Sequence, residues 1–549
     1  MKNPGNHISP FLLIVICLPG VACHNQPNQA PPPAQHISRN SPDTNKLIAE
    51  PSPPEAFSPR HSLHFDSSQI PAFLKKYPAF TSFKKDFQQF YANRRFTYAW
   101  YDREGVIEQA DNLYNQVMSI ADQGLPDKVP YKDSLTQLFS GDNNDAHNAS
   151  PQTELMLTAQ YFNYARLAWE GISESQTKSI DWFLPRKKIN LPALMDSLLK
   201  DKSSAIFRQG YVYRQYGLLK DYLNRYRILE ARNDWPFIET SKKSFSIGDS
   251  SSAIDLIRKK LFLLGDLPDN SGSNLFDKEL KEGIQHYQHR LGMKEDGVAG
   301  QATIRELNRS LPACIRQILV NMERCRWVPV SLDRDYFIVN IPAFEFFAYQ
   351  KDSLLFSMRA VVGKAIHKTV IFNGNLQYVV FSPYWNVPSG ILKNEVLPGI
   401  HRDPRYLQKH NMEWSGKSVR QKPGPANPLG QVKFLFPNQY DIYLHDSPAK
   451  SLFSEDTRAF SHGCIRLADA RKVAHYLLQN DAAWPENKID SAMKSGKEKW
   501  VTLKNPVPVF IAYFTAWVDR EGKLNWRKDI YKRDDRLAAM LWNTTGKSK

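Results

Sequence analysis

The spacing of apolar positions changes along the chain, and each change marks a different kind of element. Over residues 61–241 the apolar positions recur at three and four. Leu155, Met156, Ala159, Phe162, Ala165, Leu167 and Ala168 make one such run, and Tyr213, Tyr216, Leu219, Tyr222 and Tyr226 another. That spacing is the stripe of an amphipathic helix, so a helical domain is predicted there. It holds no cluster of reactive residues, and a scaffold role is its default reading. Residues 245–311 read as a compact three-helix unit. Gly248 precedes a run with Ile254, Ile257, Leu261 and Leu264 that closes at Gly265. A second run, with Leu280, Ile284, Tyr287 and Gln288, closes at Gly292 as a C-cap glycine would. Asp296-Gly297 predicts a tight turn, and Thr303 lies near the start of a third helix ending at Leu307-Asn308. From about residue 318 β-rich runs take over, at 336–341, 344–349, 355–362, 377–382, 432–436 and 441–444, followed by a late helix at 468–479. The predicted fold class is therefore multidomain α+β, with a mostly-β domain over 318–545. A stretch at about 388–436, rich in Pro, Gly, Arg and Lys, interrupts that domain with Pro404, Pro423-Gly-Pro425 and Pro428. A long irregular insertion in a compact domain reads as a functional lid.

The N-terminus changes the picture by adding export. Lys2 and His7 precede an apolar run, Phe11 to Leu18, that is too short to span a bilayer and fits a signal-peptide core. It ends in Pro19-Gly20-Val21-Ala22-Cys23, small residues before a cysteine, which resembles a bacterial lipoprotein cleavage site with Cys23 as the lipidated residue. Ordinary signal cleavage near Ala22 is the simpler alternative. Residues 24–60, with Pro31-Pro32-Pro33, Pro42, Pro51, Pro53 and Pro54, read as an extended tether. The formal charge of +16, from 72 Lys+Arg against 56 Asp+Glu, favours anionic partners. No aromatic-and-basic RNA motif and no zinc-finger spacing points to nucleic acid. Of five cysteines, Cys17 would leave with the signal and Cys23 would be acylated. An exported chain allows a Cys314–Cys325 disulfide. The helical segment between them (Ile315, Ile318, Leu319, Met322) would hold them apart, which favours two core thiols. Cys464 is left over, and a lone thiol in an exported chain calls for a reason.

The chemistry concentrates in Ile442-Tyr-Leu-His445-Asp446-Ser447-Pro448 and Phe460-Ser461-His462-Gly463-Cys464-Ile465-Arg466-Leu467. His445 follows a predicted strand, and Cys464 comes 19 residues later, ahead of a helical run. A helix N-terminus would stabilise a thiolate. A neighbouring His can accept the thiol proton. A turn at Gly463 would let backbone N–H groups converge on a tetrahedral oxyanion. The plainer readings are a buried free thiol and a strand-end histidine. A zinc site from His445, His462 and Cys464 is a third. A cysteine peptidase of the NlpC/P60 kind places its Cys before its His, the reverse of the order here.

This segment resembles the signature of YkuD-type L,D-transpeptidases: a His, a spacer, then Ser/Thr-His-Gly-Cys and an Arg or Asn. Here it is carried by His445, Ser461, His462, Gly463, Cys464 and Arg466. Phe381-Ser-Pro-Tyr-Trp385-Asn386-Val387-Pro388, Pro423-Gly-Pro425, Gly430, the run 434–438 and Tyr443-Leu-His445-Asp-Ser-Pro448 resemble the YcbB-like branch, with a helical scaffold, a peptidoglycan-binding unit and an inserted cap. Within 245–311 the segment from Leu261 to Leu267, Gln288 and Asp296 to Thr303 resemble the three-helix peptidoglycan-binding domain. The resemblance implies that Cys464 attacks a stem tetrapeptide between its diamino acid and the terminal D-Ala. D-Ala leaves, a thioester remains, and another stem's amine resolves it into a 3→3 cross-link. Water as acceptor gives L,D-carboxypeptidase activity, and a D-amino acid gives exchange. It implies His445 as base and acid, and the N–H groups of Gly463 and Cys464 as the oxyanion hole. Arg466 contacts a substrate carboxylate or braces the loop. Ser461, Tyr443 and Trp385 are read on the substrate side, the last two with plain core as the alternative. No metal or organic cofactor is required, and carbapenems should acylate Cys464. Relatives often carry Gly or Ser after the base where this chain has Asp446, which orients the imidazole or caps a turn. Parts of the branch have Ser in place of His462, which leaves His462 a supporting role. The implied partners are stem peptides and the sacculus, with a lipid anchor, a monomeric chain and a periplasmic or cell-envelope location. A wall-binding scaffold without turnover is the reading of another class.

Overall fold

The computed structural model describes residues 63–102, 105–140, 149–200, 212–328 and 333–542. The expected signal segment 1–23 with Cys23, and the tether 24–60, lie outside the described residues. Among the described residues no helix is long and apolar enough to cross a membrane.

The helical part is organised by Pro151–Ala165. Ser150 caps it by accepting from Thr153 N, and Pro151 supplies a preset φ at its first turn. Residues Thr153 through Ala165 are all buried, so this helix is covered on every side and runs through the middle of the domain. Its one buried acid, Glu154, accepts from Tyr91 Oη at 2.7 Å, Ala99 N at 2.7 Å and Trp100 N at 3.1 Å. Helix Leu311–Arg324 packs on Gln215–Ala231 and links this part to the β domain. Cys314 lies in its first turn and Cys325 at its C-cap, and both are free and buried. Eleven residues of helix separate them by about 16 Å, far beyond disulfide reach.

Helices Ser252–Leu264, Lys278–Leu291 and Gln301–Leu307 enclose a separate small core of Ile254, Ile257, Leu261, Leu280, Ile284 and Leu307. Gly265 and Gly292 end the first two in the left-handed region, at φ +80° and +63°. The signature residues here hold a turn. Gln288 Nε2 donates to Asp296 Oδ1 at 2.8 Å and to Val298 O at 3.1 Å, while its Oε1 accepts from Gly297 N at 2.9 Å. Gln288→Leu keeps the volume and strips these bonds, leaving the Gly297 N–H without its partner. It should cost about 1–3 kcal/mol of this unit's stability, read as a lower calorimetric transition. An unchanged transition would mean the turn stands without Gln288. The unit rests on the β domain through Arg290, which donates to Leu524 O at 2.5 Å, and through Arg527, which donates to Arg290 O at 2.8 Å.

The β domain has nine strands in its main sheet: β1 Tyr336–Asn340, β2 Glu345–Gln350, β3 Ser353–Gly363, β4 Asn373–Phe381, β5 Val432–Leu435, β6 Leu444–His445, β7 Ala459–Ser461, β8 Ile465–Leu467 and β9 Lys499–Ala512. Their order is β7-β3-β8-β6-β5-β4-β9-β1-β2, and a further β2–β3 pairing closes the sheet on itself. Helix Ala470–Leu478, capped by Asp469 onto Lys472 N, covers it and supplies Val473 and Leu478 to the core.

Three expectations are corrected here. Val432–Leu435 belongs to the main sheet, paired with β4 and β6, so the insertion ends before residue 436. The insertion is not irregular. Trp385–Asn386, Ser418–Gln421 and Met412–Ser415 form a three-stranded sheet, joined by helices Leu397–Arg402 and Tyr406–Lys409. Val387, Val396 and Val419 form its own small core, so this is a cap lobe built of pieces too short to show a period. Finally, Cys464 precedes the strand Ile465–Leu467, and the helix begins only at Ala470. The cysteine therefore gains nothing from a helix N-terminus.

Candidate active site

The site is assembled by one parallel strand pair. β6 and β8 lie side by side with Leu444 against Ile465 and His445 against Arg466. Side chains alternate along a strand, so Tyr443 and Cys464, two positions back, fall on the same face as His445 and Arg466. On the other side of β6, antiparallel β5 sets Lys433 opposite His445. These five side chains floor an open cleft of about 680 Å³, and Trp385, Val387, Ile391 and Glu395 of the cap wall it.

His445 is buried, at 4% exposure. Its Nδ1 lies 2.6 Å from Asp446 O. A carbonyl only accepts, so Nδ1 carries the proton and Nε2 keeps its lone pair. Burial, then the positive charges of Arg466 and Lys433, push the imidazole down to about 3, so it is neutral at physiological pH. The Asp446 carboxylate does not touch the ring. It accepts from Gln431 N at 3.0 Å and from Lys450 Nζ at 2.7 Å, which makes it a brace for the strand end.

Cys464 is partly exposed in the cleft, with its Sγ 3.5 Å from Asp441 O. Burial pushes the thiol up, against the opposing effect of the Tyr443 N–H and hydroxyl. At rest the pair is thus thiol and neutral imidazole, and among the described residues no hydrogen bond joins His445 to Cys464. Active-site hydrogen bonds are often loose before substrate binds.

The loop before Cys464 departs from expectation in one respect. Gly463 has φ +119°, a conformation that favours glycine, and a turn was expected there. Its N–H, however, is taken by Ser461 Oγ at 3.2 Å, and the same hydroxyl donates to Cys464 O at 2.5 Å. Of the two expected oxyanion donors, Gly463 N–H is occupied. The Cys464 N–H has no hydrogen-bond partner among the described residues. Ser461 is buried at 2% and braces the loop from below. His462 is exposed, its ring 5.0 Å from His367. Burial and His367 lower its pKa, against an opposing pull from Glu395. Arg466 lines the cleft with its Nε buried and unpartnered. Trp385 and Tyr443 both line the cleft. Among the described residues no group of three or more His, Cys, Asp and Glu is arranged to hold a metal.

Lys433, Asp441, Glu395, His367 and Thr369 escaped the sequence reading. Lys433 sits on a recognised strand, and alternation gives its face. Its place beside His445 depends on a pairing that no local pattern carries.

Residues 334–509 match the model of the YkuD family, described as the L,D-transpeptidase catalytic domain. Residues 85–223 match a scaffold domain, and 250–307 match a "Putative peptidoglycan binding domain". The chain therefore carries a YkuD L,D-transpeptidase catalytic domain together with a helical scaffold and a peptidoglycan-binding domain. A curated relative, the "Putative L,D-transpeptidase" of Haemophilus influenzae, is 30% identical over 255 residues, 42% of this chain. The match spans about half, 51%, of that relative's length. Among solved structures, an L,D-transpeptidase from Mycobacterium smegmatis is 15% identical over 33% of this chain and 59% of its own, with a TM-score of 0.19. One from Stackebrandtia nassauensis is 13% identical over 50% and 97%, with a TM-score of 0.20.

Proposed function

We propose that this protein is a cell-envelope L,D-transpeptidase that makes 3→3 peptidoglycan cross-links through a thioester on Cys464. The observation that carries the reading is the shared face of His445, Cys464 and Arg466 on one parallel strand pair, opening into one cleft. In the first half-reaction the Cys464 sulfur bonds to the carbonyl carbon between the diamino acid and D-Ala. His445 Nε2 takes the thiol proton and gives it to the departing D-Ala amine as the C–N bond breaks. The free Cys464 N–H is the donor for the oxyanion. In the second half-reaction an acceptor amine attacks, the C–S bond breaks, and the amine's proton returns to the sulfur through His445. Arg466, with an unpartnered Nε, suits the donor's carboxylate. Tyr443 and Trp385 suit the walls around the stem peptide. The peptidoglycan-binding domain supports the sacculus as partner, and a lipid anchor at Cys23 would hold the monomer at the membrane. None of these steps calls on a metal or organic cofactor.

The test is intact-mass analysis of the purified protein mixed with a tetrapeptide muropeptide, followed by chromatography. A thioester adduct on Cys464 and a 3→3 dimer are expected. Tripeptide alone would reassign the site to L,D-carboxypeptidase activity. No adduct from folded protein that still binds sacculi would make it a wall-binding scaffold.

A further inference from the structure

The peptide unit that carries the free Cys464 N–H is held from its other end. Thr369 is fully buried, at 0% exposure, and its Oγ1 donates to Gly463 O at 2.8 Å while accepting from Gly363 N at 2.9 Å. Gly463 O and the Cys464 N–H belong to one planar peptide group, and no cis peptide occurs among the described residues. In a trans peptide the C=O and N–H point in opposite directions within one plane. Fixing the oxygen therefore fixes the aim of the N–H.

Thr369 is itself clamped. Its N–H donates to Tyr531 Oη at 3.2 Å, and that hydroxyl donates to Gly363 O at 2.6 Å. Arg533, whose guanidinium lies 5.7 Å from the Tyr531 ring, donates from Nη1 to the scaffold carbonyls of Ile180 at 2.5 Å and Asp181 at 3.0 Å. Two residues beyond Thr369, Ile371 O accepts from scaffold Phe183 N at 2.8 Å. The scaffold domain thus grips the strap that grips the nucleophile loop.

We infer that Thr369 is a positioning residue that aims the Cys464 N–H as the oxyanion donor, and that the helical scaffold serves the reaction by holding Thr369 in place. The inference rests on the reading of Cys464 as an acyl-enzyme nucleophile. It adds a residue 95 positions away and a task for the scaffold.

The test compares two reactions of the same thiol in the full chain. Acylation by a tetrapeptide muropeptide passes through an oxyanion, whereas alkylation by iodoacetamide displaces iodide and needs none. Thr369→Val should slow acylation about a hundredfold in kcat, with KM little changed, since one oxyanion donor is worth about 10²–10³ in kcat. Its alkylation rate and the pH dependence of alkylation should match the native protein. Thr369→Ser, which keeps the hydroxyl, should restore most of the acylation rate. Tyr531→Phe should show the same split more weakly, and it serves if Thr369→Val does not fold. Native acylation in a folded Thr369→Val would overturn the inference. So would equal losses of acylation and alkylation, because that pattern means a displaced thiol rather than a misaimed donor. If the native protein alkylates but never acylates, the transpeptidase reading itself fails and this inference falls with it.

Discussion

Cys464→Ala is expected to abolish both the covalent adduct and the dimeric product, a fall of about 10⁶ in turnover, as loss of a nucleophile costs in a triad enzyme. Folding should be untouched. The side chain is partly exposed and its Sγ lies 3.5 Å from Asp441 O, so the stability change should stay within about 0.5 kcal/mol. Binding to sacculi should persist, because the peptidoglycan-binding unit has its own core far along the chain. The measurement is intact mass and product chromatography on native and variant protein side by side. Residual turnover with an adduct elsewhere would move the nucleophile. Among the described residues the other two thiols make poor substitutes. Cys314 and Cys325 are buried, and burial pushes the Cys325 thiol up to about 12.

His445→Gln should lower acylation by about 10²–10⁴, the usual worth of a general base. Gln can still donate to Asp446 O, so the strand end keeps its geometry. The pH behaviour gives a sharper test. The folded imidazole titrates at about 3, and burial is the main cause. The thiol is raised by burial as well. Acylation of the free enzyme should therefore climb with pH toward thiol ionisation, with no acid limb near the ordinary histidine value of 6.5. A bell centred on neutral pH would instead show a resting thiolate–imidazolium pair and refute this electrostatic picture. Stability follows with a definite sign. Between 6.5 and about 3 the unfolded chain binds a proton at His445 that the folded one refuses. Stability therefore rises with pH across that window and is lost as pH falls through it. At about pH 5 the loss from this one group is about 2 kcal/mol. Urea midpoints at neutral pH and about pH 5 should differ less in His445→Gln than in the native protein.

The electrostatic account replaces the one suggested by the chain's local order. A cysteine ahead of a helical run implies a thiolate stabilised by the helix dipole. Here the strand Ile465–Leu467 intervenes, and it is this strand that pairs with Leu444–His445. The pairing builds the site but also removes the helix terminus, so the thiol is raised rather than lowered. In the proposed reaction, activation then comes from His445 and substrate rather than from a preformed ion pair.

Much of this protein is legible in the chain. The three-and-four spacing around Leu155 to Ala165, the helix-closing glycines Gly265 and Gly292, and the β-rich runs are local signals. Helix and strand periods are properties of neighbouring residues. The residues of the cleft floor, His445, Cys464, Arg466 and Tyr443, could likewise be named from one short motif and its flanks. What the chain could not reveal depends on contact between distant segments. Lys433 joins the floor only through β5–β6 pairing. The cap's strands are too short for a period and cohere through Val387, Val396 and Val419. The Gly463 N–H was expected to be free, and Ser461 takes it by a side-chain rotation that no spacing encodes. The neutrality of His445 comes from desolvation, which is set by everything packed around a group rather than by its neighbours in sequence. Thr369 carries no motif at all. Its importance appears only when folding brings its hydroxyl to the far end of the peptide bond that presents Cys464.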